Sequence, residues 1–323
     1  MRRNASGVSA LSAALIFEVA PTESGRRLDV VLVARVEGMS RARARRLAAE
    51  GKIRVNGHLA RKGKTVSAGD SVSLAEVPPP TSFAALPDPE LALDVLHEDP
   101  HFVVISKAAG VPSHPLRADE VGTAASALLA RYPEMGWIGY SPREPGIVHR
   151  LDTNTTGVLL AARDAETFEA LRDTLRRGHI DKRYLALCQG EVAAPAVIEA
   201  PIDAHPSDRR RVRAHAKDHA YPLASARHAR TEIESVEAAG PMSLVRVRAR
   251  TGARHQVRVH LAFSGHPLAG DPLYGGPMLP GLGHHFLHAE SIAFVHPVSG
   301  EDVKVVAPLP PSLQKIVDRL KRS

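Results

Sequence analysis

Three consecutive prolines, Pro78-Pro79-Pro80, with Pro87 and Pro89 close behind, set the first limit on how this chain folds. Proline has no backbone N–H and a fixed φ, so neither a helix nor a central strand continues through such a run. The spacing predicts a stiff, extended linker over residues 78–91. On either side lie a module over residues 25–77 and a body over residues 92–323, and residues 1–24 form a tail with a short strand at 15–19. A chain of 323 residues suits two such domains and needs no covalent staple. Its single cysteine, Cys188, excludes a disulfide framework and a zinc ribbon, and fits a reducing cytoplasm. Arg2 and Arg3 precede an apolar run, but Ser9 and Ser12 interrupt it and Glu18 and Pro21 follow. It therefore reads as a tail, not a secretory leader. No stretch reaches the roughly 18 apolar residues of a membrane span.

Charge sharpens the division. Of 42 Lys+Arg and 35 Asp+Glu, residues 25–77 hold 12 basic and 5 acidic, net +7, and the rest of the chain is balanced. A compact basic module beside a neutral body points to a polyanion, most simply nucleic acid; a solvated charged face is the blander alternative. Leu28, Val31, Leu32 and Val36 recur at helical spacing. Ser40 then caps a second helix over residues 41–50, stopped by Gly51. Short strands follow at 53–55, 64–66 and 72–74, with an Asn56-Gly57 turn typical of a hairpin.

Arg27-Leu28-Asp29, Ser40-Arg41, Gly51, Val55-Asn56-Gly57, Lys64 and Gly69-Asp70 together resemble the RNA-binding module first named for a small-subunit ribosomal protein. The resemblance implies that the second helix and the following loop grip phosphates, through Arg41, Arg43, Arg45, Arg46, Lys52 and Lys62. Such contacts position a protein without reading sequence.

In the body, His149-Arg150-Leu151-Asp152-Thr153-Asn154-Thr155-Thr156-Gly157 lies between apolar runs, which puts Asp152 on a loop held by a scaffold. A helix follows, capped by Asp164, with Arg176 and Arg177 in its last turn and Gly178 ending it. The string H-R-L-D-x-x-T-x-G resembles that of the RluA-type pseudouridine synthases, and four further pieces keep the family's order. They are Lys107-x-x-Gly110 with His114-Pro115; Lys182-Arg183-Tyr184; a segment from His255 through Gln256, Arg258 and His260 to Gly270-Asp271; and His288 with His296-Pro297. Three places depart from the pattern: Ala108 stands where proline is usual, Thr156 replaces serine, and Arg254 has moved one position.

The resemblance covers most of residues 92–300. It implies an α+β catalytic domain with a large mixed, mainly antiparallel bent sheet flanked by helices, preceded by a small helical and hairpin RNA-binding domain. It also implies isomerisation of uridine in RNA: uracil leaves its ribose, turns, and rejoins through ring carbon 5. Asp152 is then the nucleophile, on the ribose or on the ring, and Arg258 the cation that keeps it ionised. Tyr184 stacks on the base and assists proton movement. Arg150 fills the vacated stack, and His149, Lys107, Lys182 and Gln256 contact substrate. The blander alternatives are that Asp152 is a loop carboxylate capping amides, Tyr184 a half-buried strand aromatic, Arg150 a salt-bridge partner and Arg258 a surface cation. Large-subunit ribosomal RNA is the expected substrate, because family members with this module usually act there. A transfer-RNA enzyme, or a non-catalytic RNA-binding or ribosome-assembly factor, is the alternative.

No cofactor is expected, and none of the 17 histidines falls in a metal-binding pattern, so no metal is expected either. A cytoplasmic monomer without an obligate protein partner completes the reading. Residues 209–213, rich in arginine, read as a loop able to meet phosphates. Residues 275–283 read as a flexible loop able to cover the cleft.

Overall fold

The computed structural model describes residues 15–36, 39, 41–61, 63–74, 83–216 and 226–322. Within helix residues 41–49 the side chains of Arg41, Ala42, Arg43 and Arg46 lie outside that description. The chain divides into two compact units, Met1–Phe83 and Ala84–Ser323.

In the first unit, strand β1 (Leu15–Glu18) precedes helices α1 (Leu28–Arg35) and α2 (Arg41–Ala49), then strands β2 (Ile53–Val55), β3 (His58–Leu59) and β4 (Ser71–Leu74). Both helices bury one face, through Leu28, Val31 and Leu32 and through Ala44 and Leu47. Each fully buried aliphatic side chain contributes about 1.5–3 kcal/mol. The sheet order is β1-β4-β2-β3, so the N-terminal strand is an edge of this sheet, in register from Leu15↔Leu74 to Glu18↔Ser71. Asn56 (φ +51°) and Gly57 (φ +79°) make the two-residue turn joining β2 to β3. Asn56 also donates to Asp70 and accepts from the Ser71 amide, each at 2.8 Å, locking the turn to β4. Residues 64–66 are not a strand: they make one bridge, Arg27↔Thr65.

The second unit is built on nine strands: β5 (Val95–Glu98), β6 (Phe102–Lys107), β7 (Thr156–Ala162), β8 (Asp181–Gln189), β9 (Ala196–Glu199), then β12 (Arg230–Ala239), β13 (Met242–Ala249), β14 (Leu287–Val295) and β15 (Asp302–Val306). A separate pair, β10 (Ile202–Ala204) and β11 (Val212–Ala214), forms a small antiparallel hairpin. The large sheet runs β5-β6-β7-β14-β8-β13-β12-β9, with β15 also on β14. Among the described residues every pairing in it is antiparallel except β7 with β14. Helices α3 (Ala124–Arg131), α4 (Ala165–Arg176), α5 (Gln256–Phe263) and α6 (Pro311–Lys321) pack on it. The fold is therefore α+β with a mixed, mainly antiparallel sheet.

Strands β6 and β7 read as unbroken apolar runs because both faces are covered. Val103, Ile105, Leu159 and Ala161 pack with Leu128 of α3. The alternate residues, Phe102, Val104, Val158 and Leu160, pack with Phe168 and Leu171 of α4. Asp164 caps α4 by accepting from the Thr167 amide at 2.7 Å.

Gly157, the second residue of β7, sits at φ +107°, and a Cβ there would lie 2.1 Å from the Ala289 carbonyl oxygen. The parallel contact with β14 thus admits only glycine at this point of the motif. Residues 275–283 differ from the sequence expectation. The Pro277 carbonyl accepts from Gly270, and Leu279 and Leu282 pack with Leu313 and Ile316 of α6. The segment is seated by its leucines instead of covering the cleft. Residues 209–213 are also only partly a loop, since Val212 and Arg213 belong to β11.

Candidate active site

The loop carrying Asp152 is pinned from both sides. Ser113 accepts from the Leu151 amide at 3.0 Å and donates to the Leu151 carbonyl at 2.8 Å. The Thr155 amide donates to the Asp152 carbonyl at 3.0 Å, closing a turn around the carboxylate. Buried Lys107, at the end of β6, donates to the carbonyls of Ala108, Val111 and Thr153 at 2.8–2.9 Å. Lys107 is therefore engaged with backbone and does not line the cleft described below. Burial lowers its pKa to about 7, with the charge of Asp152 acting in opposition.

Arg258 lies in the first turns of α5 and is only 6 % exposed. Its Nη1 donates to Oδ2 of Asp152 at 2.8 Å. Nε and Nη2 grip both oxygens of Asp271 at 2.8 and 3.0 Å. A buried guanidinium needs such a fork to offset desolvation, and Asp271, 1 % exposed, supplies it. Burial works to raise the pKa of Asp152, but His255, Arg258 and the Arg258 hydrogen bond outweigh it, and the carboxyl is held below its ordinary value. Burial also brings His255 down to about 4, so near neutral pH the cation facing Asp152 is Arg258.

A cleft of about 220 Å³ is lined by Asp152, Arg258, Tyr184, His149, Lys182 and Tyr140 among others. A second hollow shares Arg150, Asp152, Arg254 and His255 with it, so the two meet at the carboxylate. Burial, then the charge of Asp152, raises the pKa of Tyr184, which is a neutral phenol. His149 accepts from the Leu160 amide at 3.2 Å, and burial lowers its pKa to about 3. Lys182 donates to the Thr251 carbonyl at 3.1 Å, and burial brings it to about 8. Gln256 also lines the cleft, yet its amide bonds Thr251, Ala253, Arg230 and Thr231, which places it as a brace for α5. Arg150 is exposed, with Nη1 3.4 Å from Nε2 of His114. The shifted Arg254 donates to the carbonyls of Arg209 and Arg210 at 3.0 and 2.8 Å.

Asp152, Tyr184 and Arg258 thus converge, with Arg150, His149 and Lys182 around them. Among the phosphate-gripping candidates, Arg45 lies 3.8 Å from Asp29 and Lys52 3.8 Å from Glu50. The side chains of Arg41, Arg43 and Arg46, and Lys62 entirely, fall outside the described residues. Sequence reasoning gave no role to Asp271, Tyr274 or His255. Asp271 stood inside a motif piece, but nothing local marks it as the partner of Arg258. Among the described residues no group of three or more His, Cys, Asp or Glu could hold a metal ion, and no helix is long and apolar enough to cross a membrane.

The profile described as RNA pseudouridylate synthase matches residues 101–263, and that of the S4 domain matches residues 26–72. The ribosomal large subunit pseudouridine synthase D of Xanthomonas campestris is 35% identical, over 94% of this chain and 91% of its own length. An uncharacterized RNA pseudouridine synthase of Chloroflexus aurantiacus is 38% identical, over 95% and 93%. Among solved structures, human RNA pseudouridylate synthase domain containing 1 aligns at 25% identity with a TM-score of 0.52, covering 72% of this chain and 96% of its own. A buried arginine holding an ionised aspartate within a cleft, and relatives that match nearly end to end, lead to one assignment: the chain belongs to the RNA pseudouridylate synthase family, with an S4 domain at its N-terminus.

Proposed function

We propose that Asp152 is the nucleophile of this isomerase and that its substrate is a flipped-out uridine in large-subunit ribosomal RNA. The observation that carries the first part is the 2.8 Å pair of Asp152 with Arg258, itself forked to Asp271. A carboxylate can attack carbon only while ionised, and in a largely buried cleft a fixed cation keeps it so. Arg258 occupies Oδ2 and leaves Oδ1 to bond carbon transiently, a bond that breaks again when the base is rejoined, so Asp152 ends as the free carboxylate. The bond from ribose C1′ to ring nitrogen 1 breaks, and one from C1′ to ring carbon 5 forms. Carbon 5 loses a proton and nitrogen 1 gains one, so no cofactor is required. Tyr184, neutral and half-buried, serves this chemistry as a stacking surface and hydroxyl donor better than as a phenolate base. Extracting the base costs a few kcal/mol, and the exposed guanidinium of Arg150 is suited to replace it in the stack.

The ribosomal substrate rests on relatives named for the large subunit, together with the basic S4 domain. It would place the protein in the cytoplasm with the assembling ribosome. The test uses ribosomal and transfer RNA transcripts carrying tritium at uridine carbon 5. Release from large-subunit RNA alone is expected; release from transfer RNA alone would replace the substrate.

The S4 domain supplies a second expectation. Removing residues 1–83 takes away the entire net charge of +7. RNA affinity at moderate salt should fall, and the slope of log Kd against log salt should flatten by about 0.9 for each phosphate that this domain neutralises. A filter-binding salt series measures it, and an unchanged slope would mean that the body alone grips the phosphates.

A further inference from the structure

Tyr274 lies outside every role assigned above, yet its hydroxyl joins three parts of the catalytic unit. The Val212 amide, at the start of β11, donates to it at 3.0 Å. Nδ1 of His255 lies 2.9 Å away. Its ring packs against two guanidinium groups, Arg258 at 5.2 Å and Arg211 at 5.6 Å. His255 is the N-cap of α5 and sits at φ +53°, a left-handed conformation that a non-glycine residue holds only where its surroundings enforce it. That backbone turns the other ring nitrogen, Nε2, toward Oδ1 of Asp152, 3.9 Å away.

Proton counting fixes the arrangement. One side of the hydroxyl oxygen accepts from Val212, and among the described residues the hydroxyl hydrogen has no acceptor other than Nδ1 of His255. A buried hydroxyl hydrogen left without an acceptor is unfavourable, so Tyr274 donates to Nδ1. A neutral imidazole then carries its one proton on Nε2.

We propose that Tyr274 is a positioning residue: by donating to Nδ1 it holds His255 as the Nε2–H form and presents that N–H to Oδ1 of Asp152. This rests on the reading of Asp152 as nucleophile. The two carboxylate oxygens are then treated differently, one held by a cation and the other faced by a neutral donor that leaves its nucleophilicity largely intact. At 3.9 Å the second contact is longer than a hydrogen bond, so the N–H faces Oδ1 without being bonded to it. The Val212 amide links the relay to the arginine-rich hairpin, which Arg254 clamps through the carbonyls of Arg209 and Arg210.

The test uses the full-length protein with 15N-labelled histidine side chains, and His255→Gln identifies the His255 signal. The expected result is a proton on Nε2 in the wild type and its partial transfer to Nδ1 in Tyr274→Phe, which keeps the ring but removes the hydroxyl. Single-turnover tritium release should slow about tenfold in Tyr274→Phe, the scale of one hydrogen bond, with RNA Kd unchanged. Adding Tyr274→Phe to His255→Gln should slow the reaction no further, because the relay is already gone. A wild-type proton on Nδ1, or equal rates for Tyr274→Phe and the wild type, would overturn the proposal. Should Tyr274→Phe fold poorly, the wild-type tautomer decides alone. A wild type that releases no tritium from any transcript would count against the nucleophile reading, and the nitrogen spectrum would still decide the relay.

Discussion

Asp152→Asn is expected to reduce tritium release by at least ~10³-fold, the scale of loss when a covalent nucleophile is removed. The amide has nearly the shape of the carboxylate, and its oxygen can still accept from Nη1 of Arg258. It carries no charge and is a poor nucleophile, so only chemistry is removed. Folding should hold, because Arg258 keeps its fork to Asp271 and no buried charge is orphaned. Single-turnover release at saturating enzyme measures the rate, and filter binding measures affinity, which should stay within about twofold because the change is isosteric. A residual rate within about tenfold of the wild type would remove Asp152 from the reaction and return it to the role of a loop carboxylate.

The second large effect is on Arg258. Arg258→Met keeps an unbranched apolar stem and removes the cation, leaving Asp152 and Asp271 without the guanidinium that both bond. Taking one partner from a buried ion pair costs about 3–5 kcal/mol, to be seen as a lower denaturant midpoint at neutral pH. Activity should fall further than stability alone explains. In the wild type the pKa of Asp152 is depressed. The stability tied to that shift is therefore present above the ordinary carboxylate value and is lost as pH falls through the lowered one. Without Arg258, its charge and its hydrogen bond no longer oppose burial, and the pKa rises. The acid limb of the pH–rate profile should move to higher pH, and activity should recover partly as pH is raised. An acid limb in the same place in both proteins would show that Arg258 does not set the ionisation of Asp152.

Several features were legible in the sequence because their causes are local. The Asn56-Gly57 turn follows from two residues that tolerate positive φ. The limits of α4 follow from the capping of Asp164 and from Gly178 at φ +74°. The loop carrying Asp152 follows from a polar motif between apolar runs. Other readings failed for the opposite reason. Residues 275–283 look mobile by glycine and proline content, but Leu279 and Leu282 meet α6 only after the chain has closed on itself. Residues 64–66 look like a strand by composition, yet they find a single bridge to Arg27.

The division at the active site is sharper. The sequence by itself determined that there is a scaffolded loop with Asp152, a strand with Tyr184 and a cation-bearing segment at Arg258. The loop and the strand follow from local patterning, while the importance of Tyr184 and Arg258 is what the family resemblance implies. The family resemblance implies Arg258 as the partner of Asp152; only the tertiary structure decided that the contact is made at 2.8 Å across 106 positions, that Asp271 forks Arg258 from behind, and that Tyr274 reaches His255. Ionisation in a buried site depends on the balance between desolvation and nearby charge. That balance comes into being only when residues distant in the chain are brought together out of water.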